Sequence, residues 1–198
     1  MKKCVVLLCI ILVLFAACDT PLPFPPGGHN VSEEEYNIIS ETNRVRTRPG
    51  DYAAMLEAEL LTITNQPTRD VYQAAIDTLR AASPRNPVVF EGTLYLAACA
   101  HAEDLIATNT FSHNSSNGNS FSQRLQLFGT AGYAGENLAA GTVQNTGAKV
   151  VKQWVLSPGH LGNILNVNYN QLGACLKSGH PTYNWISVQD FARDFKAK

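Results

Sequence analysis

Between Phe111 and Leu176 three short motifs occur in one order: Phe111-Ser112-His113, then Gly135-Glu136-Asn137-Leu138, then Ser157-Pro158-Gly159-His160. Each is common alone. Their setting restricts the fold, because the first follows the helix-like run Leu94–Ala107 and the second leads into an apolar, strand-like piece. The third precedes Asn163-Ile164-Leu165 and then Leu172-Gly173-Ala174-Cys175. A fold that satisfies this order can bring two histidines and a glutamate together.

The elements around the motifs can be read from local signals. Ser32-Glu33-Glu34-Glu35 before an apolar-periodic run is a capping-box start, which predicts a helix from Glu33 to Arg46 that stops before Pro49. Residues 51–62 and 69–82 show helical spacing, with Tyr52, Met55, Leu56 and Leu60 on one face and Val71, Ala75, Leu79 and Ala82 on another. This pair reads as a helical insert at about 51–82, a lid or flank rather than a second domain. A long helix is expected over Gly92–Asn109, a turn-rich loop over 114–120, and further helices over Phe121–Phe128 and Ala148–Leu156, the last stopping at Ser157-Pro158. Gln171–Lys177 and Asn184–Phe191, joined by Ser178-Gly179-His180-Pro181-Thr182, predict an antiparallel hairpin. Helices before and after a small sheet give an α/β fold: a three-layer α-β-α sandwich around a mainly antiparallel sheet.

The ends carry processing signals. Lys2 and Lys3, an apolar run from Cys4 to Phe15 and then Ala16-Ala17-Cys18 read as a signal peptide over 1–17, well short of the ~20 apolar residues that span a bilayer. Small residues before Cys18 resemble a bacterial lipobox, which implies that Cys18 is acylated, by palmitate for example, and becomes the mature N-terminus. Phe15 stands where such boxes usually carry leucine, and an ordinary secretory signal cleaved near Ala17 is the alternative. The proline- and glycine-rich run after Cys18 reads as a tether over 18–31, leaving one domain over 32–198. Without residues 1–17, thirteen Lys and Arg face sixteen Asp and Glu, a net charge of −3, which is no nucleic-acid footprint.

From Ser32 to Phe195 the chain resembles the CAP superfamily of cysteine-rich secretory, antigen 5 and pathogenesis-related proteins, in its bacterial SCP-like extracellular branch. The likeness is carried by Asn43-x-x-Arg46, Ala97 to Asp104, Phe111-Ser112-His113, Arg124 with Gly132-Tyr133, Gly135-Glu136-Asn137, Trp154 to Leu165, and Tyr183 to Phe191. The resemblance implies a cleft lined by His113, Glu136 and His160. Ser157 stands where the family has a second glutamate. Two imidazoles and a carboxylate can hold zinc with an open water position, so His113, His160 and Glu136 form a weak divalent-metal candidate. Equally, they can form a hydrogen-bonded network that requires no cofactor. No catalytic residue stands out: there is no His-Glu-x-x-His pair and no Gly-x-Ser-x-Gly elbow.

Other residues have bland readings beside the functional ones. His101 reads as a packed or exposed partner on the long helix rather than a ligand, and His180 as a solvated turn residue. Trp154, Trp185, Tyr133 and Tyr183 read as core, with an apolar groove as the alternative, while Asn137 and Asn163 read as turn-stabilising amides. Cys99 and Cys175 are the two cysteines left besides Cys18. A disulfide and two buried thiols are both open, the bond requiring Cα atoms within ~7 Å. Three functions compete: a membrane-anchored binding module for a lipid-like, envelope or host ligand; a hydrolase, with or without metal, using the same cleft; and an adhesin acting through the insert.

Overall fold

The computed structural model describes residues 29–143 and 145–198. The expected signal peptide, Cys18 and the start of the expected tether lie outside the described residues. In chain order the elements are α1 (Glu33–Thr47), α2 (Pro49–Leu60), α3 (Gln66–Ala81), β1 (Val89–Phe90), α4 (Gly92–Thr108), α5 (Phe121–Phe128), β2 (Gly129–Thr130) and β3 (Tyr133–Gly141). There follow α6 (Gly147–Val155), α7 (Pro158–Ile164), β4 (Gln171–His180), β5 (Asn184–Arg193) and β6 (Lys196–Ala197). The four-stranded sheet runs β1-β4-β5-β3, with β1–β4 parallel and the other two pairs antiparallel. It is therefore mixed but mainly antiparallel. β2 and β6 form a separate antiparallel pair. None of the described helices is long and apolar enough to cross a membrane.

Both faces of the sheet are buried, which makes three layers. On one face α4 sets Cys99, Ala102 and Leu105 against Leu138, Cys175 and Val188. On the other, Ile38 of α1 and Val151 and Trp154 of α6 meet Ala139, Leu172 and Phe191. Gly173 lets α4 sit this close, since a Cβ there would run into the backbone of Leu94 and Tyr95. Two residues along β4, Cys175 is bonded to Cys99 across a Cα separation of 5.1 Å, so the disulfide reading holds and the reading as two unpaired thiols does not.

The capping box forms and reaches further than a cap. Ser32 Oγ accepts the Glu35 N–H at 3.3 Å while Glu35 Oε2 accepts the Ser32 N–H at 2.8 Å. Glu35 Oε1 also accepts the Leu176 N–H at 3.0 Å, tying the first turn of α1 to β4. One turn before the end of α1, the Asn43 amide pairs in both directions with the Val88 backbone, at 2.9 and 2.8 Å. Arg46, 1% exposed, donates to the carbonyls of Asn86, Ile164, Asn166 and Tyr169 at 2.6 to 3.1 Å. Burial and then the nearby Arg85 pull its pKa down to about 10. The Asn43-x-x-Arg46 motif is thus a backbone clamp that holds the end of α7 and the approach to β4.

Four expectations need correction. In α3 the inward face is Tyr72, Ala75, Ile76 and Leu79, whereas Val71 is 45% exposed. The true i, i+3, i+4, i+7 stripe starts one residue later. The α2–α3 pair is no lid or flank, since Tyr52, Leu56, Ile76 and Leu79 belong to the same core cluster as Trp154 and Phe191. Pro158 ends α6 but also opens α7 as its first residue, where a missing N–H costs nothing. Gly135-Glu136-Asn137 is not a turn: all three lie within β3, paired with Phe191, Asp190 and Gln189.

Candidate functional site

Glu136 is the hub of the site because strand alternation turns it to the α4 side while its neighbours Gly135 and Asn137 face the other layer. Its side chain is 2% exposed. Oε1 accepts from His113 Nδ1 at 2.7 Å, and Oε2 pairs with Arg124 Nη2. Arg124 sits on α5, itself started by a Ser120–Gln123 capping box. Its Nη1 donates to the His113 carbonyl at 3.0 Å, so one guanidinium orients both the glutamate and the loop that brings the histidine.

That loop is held at three carbonyls by three buried side chains. His180 Nε2 donates to the Thr110 carbonyl at 3.1 Å, His101 Nε2 to that of Ser112 at 2.9 Å, and Arg124 to that of His113. Each carbonyl can only accept, which places the proton on Nε2 of both histidines. His180 is 2% exposed as the last residue of β4, and its Nδ1 accepts from the Thr182 and Tyr183 N–H groups. The solvated-turn reading of His180 is therefore wrong, because β4 continues three residues beyond its expected end. His101 is fully buried, and burial keeps its pKa low.

On the opposite side of β3 a chain of amides joins the layers. Asn163 Nδ2 donates to Asn137 Oδ1 at 2.9 Å and to the Glu136 carbonyl at 3.2 Å. Asn137 Nδ2 donates to Gln189 Oε1 at 2.9 Å and to the His160 carbonyl at 3.3 Å, and Gln189 donates on to Thr42. Gly135 is required here, since a Cβ would strike the Tyr169 hydroxyl. The two asparagines are structural, but within a strand and a helix rather than at turns. Trp154 and Trp185 are core, while Tyr133 is 55% exposed.

The structure puts His113 and Glu136 in contact and brings His160 within electrostatic reach of His113. The Glu136 hydrogen bond raises the His113 pKa. Burial, then the positive charge on His113, lowers that of His160. Ser157 is the N-cap of α7, three residues before His160, and its side chain makes no capping hydrogen bond. His113 remains open to solvent, its side chain 57% exposed. With Nδ1 tied to a carboxylate, Nε2 is the ring nitrogen left for a ligand.

Among the described residues, the one group of three His, Cys, Asp or Glu donors lying within 4.8 Å of one another is Glu35, Cys99 and Cys175. His113, Glu136 and His160 are not such a group. The donor set that can chelate a divalent ion such as zinc therefore lies between α1, α4 and β4 rather than in the cleft. Zinc binds thiolates, so this set becomes available when the Cys99–Cys175 bond is reduced.

Two site residues were missed in the sequence, Arg124 and Asp190. Asp190 is the cross-strand partner of Glu136 and is 0% exposed. A signal was present: an acid inside Trp185-Ile186-Ser187-Val188-Gln189-Asp190-Phe191, a run apolar enough to be buried, marks a charge that needs an explanation.

The model of one protein family, CAP: Cysteine-rich secretory protein family, matches residues 73–191. The uncharacterized protein YkwD of Bacillus subtilis (strain 168) is 31% identical over 145 residues, 73% of this chain and 51% of the relative. The match thus spans about half the length of that curated relative. An outer surface protein from Borrelia burgdorferi superposes with a TM-score of 0.50 at 23% identity, over 66% of this chain and 96% of that one. Schistosoma mansoni venom allergen-like protein 4 gives 0.51 at 14% identity, over 84% and 96%. Likeness at these identities establishes the shared fold.

Proposed function

Since this chain belongs to the CAP family of cysteine-rich secretory proteins, we propose that it is an exported binding module whose cleft takes an amphiphilic ligand with an acidic head. The observation that carries this reading is the half-exposed His113 ring, whose Nδ1 is held by a buried Glu136. Glu136 favours the charged ring, which can donate from Nε2 to an anionic oxygen. Two residues earlier Phe111 is 45% exposed, its ring 5.8 Å from that of Tyr183, an apolar surface for the rest of such a ligand. The Borrelia burgdorferi relative is an outer surface protein by name, which supports an exported location. Membrane attachment is assigned to acylated Cys18, with residues 1–17 removed and 18–31 as tether, on the sequence pattern alone.

A hydrolase is the second reading, favoured by the same pair: a histidine oriented by a buried carboxylate is the arrangement of a general base. One comparison separates the two. Binding of a fluorescent fatty acid and of the fatty alcohol of equal chain length is measured on wild type and His113→Gln, alongside release of alcohol from the matching ester. Tighter binding of the acid, with the preference erased in the variant, supports the binding module. Equal binding of acid and alcohol by wild type overturns it. Ester turnover that the variant loses assigns the cleft to hydrolysis.

A further inference from the structure

Asp190 lies mid-strand in β5, in register with Glu136 on one side and Gly173 on the other. It is 0% exposed, and neither carboxyl oxygen meets a hydrogen-bond donor among the described residues. Strand pairing sets it directly opposite Glu136 on the same face of the sheet, where opposed residues have Cβ atoms about 4.5–5.5 Å apart. Two carboxylates cannot bond, because both only accept; a carboxylic acid and a carboxylate can.

The surroundings leave little else to hold a charge on Asp190. From α5, Arg124 acts on it electrostatically but spends its two Nη atoms on the His113 carbonyl and Glu136 Oε2. β4 contributes Gly173, with the α4 backbone at Leu94 and Tyr95 seated over it. His101 from α4 and His113 from the loop both interact with Glu136. An ionised Asp190 would be a buried anion without a donor, beside a second anion, with one cation serving both.

We propose that Asp190 is a positioning residue of the cleft: a neutral carboxylic acid whose O–H donates to Glu136 from within the sheet, so that one proton is held between the two carboxyls and Glu136 alone carries the negative charge. Glu136 is thereby fixed from three directions, by Arg124, Asp190 and His113. Burial and the charge of Glu136 both push the Asp190 carboxyl well above the usual carboxylate range. The inference deepens the reading of the cleft, but its experiment needs no ligand, so each can fail without the other.

The experiment is an NMR titration of the full-length chain in detergent, following the His113 ring in wild type and Asp190→Asn. The asparagine keeps the shape and a donor toward Glu136 and removes only the ionisable group. With Asp190 already neutral, the His113 pKa should shift by less than about 0.3 units, whereas loss of a neighbouring anion would lower it by about one unit or more. A fall of that size overturns the proposal. Should the variant not fold, the Asp190 carboxyl carbon in wild type gives the same answer: it should remain in its protonated form at neutral pH, and titration near the ordinary value of about 3.9 overturns the proposal.

Discussion

Glu136 shows how one side chain sets the ionisation of its neighbours. Its hydrogen bond raises the His113 pKa, while burial and the charge on His113 lower that of His160. The two histidines therefore act in opposite senses on stability. The contribution of His113 is present in full below its unfolded value, about 6.5, and is lost as pH rises through its raised folded value. That of His160 is present above about 6.5 and is lost as pH falls through its lowered folded value. Urea unfolding from about pH 5 to about pH 8.5 should show His113→Gln most destabilised relative to wild type at the acidic end, with the gap closing as pH rises. For His160→Gln the difference from wild type should move the other way. A His113→Gln gap that widens with pH would contradict the pairing with Glu136. Because the His113 side chain is 57% exposed, solvent screening keeps the effect small.

At the scale of elements, the two faces of the sheet are joined to their helices by different means. On one, α1 is tied by hydrogen bonds to backbone, from Glu35 to Leu176 and from Arg46 to the carbonyls after α7. On the other, α4 is tied to β4 by a covalent bond that closes a sequence separation of 76 residues. A loop of that size restricts the unfolded chain enough to be worth roughly 4 kcal/mol in the chain-entropy account. The Cys99→Ala/Cys175→Ala double variant should lose stability of that order in chemical denaturation while keeping the helical and strand signals of the native fold. A loss below about 1 kcal/mol would show that the unfolded ensemble is not much restricted by the bond. Helix existence was legible here from caps and periodicity, as at Ser32 and Phe121. The second start at Pro158 was not, because the residue that ends one helix is also fit to begin another.

Across the whole molecule the α2–α3 pair is the feature most altered by seeing the structure. Its inward residues share a core with α6, α7 and the sheet, so removing it strips cover from Trp154, Val155 and Leu161. Arg80 with Glu57 and Lys152 with Glu59, at 2.6 and 3.0 Å, add ion pairs within the pair and to α6. Replacing residues 49–82 with a short glycine-serine linker should abolish cooperative thermal unfolding. A deletion variant that unfolds in a single sharp transition near the wild-type temperature would mean that the pair is dispensable to the core.

What the amino-acid sequence determined by itself is the order of the main helices and of the β4–β5 hairpin, the capping box at Ser32, and the meeting of His113 with Glu136. These follow from signals a few residues long, or from motifs whose likeness to a known family places them. Tertiary structure alone decided that Asp190 stands beside Glu136, that His180 and His101 hold the loop rather than face water, and that Glu35 meets the two bonded cysteines. Each depends on strand register or on which helix covers which face. In a sheet buried on both sides the apolar run of a strand does not say which neighbour a side chain meets, so these contacts between distant residues carry no local trace.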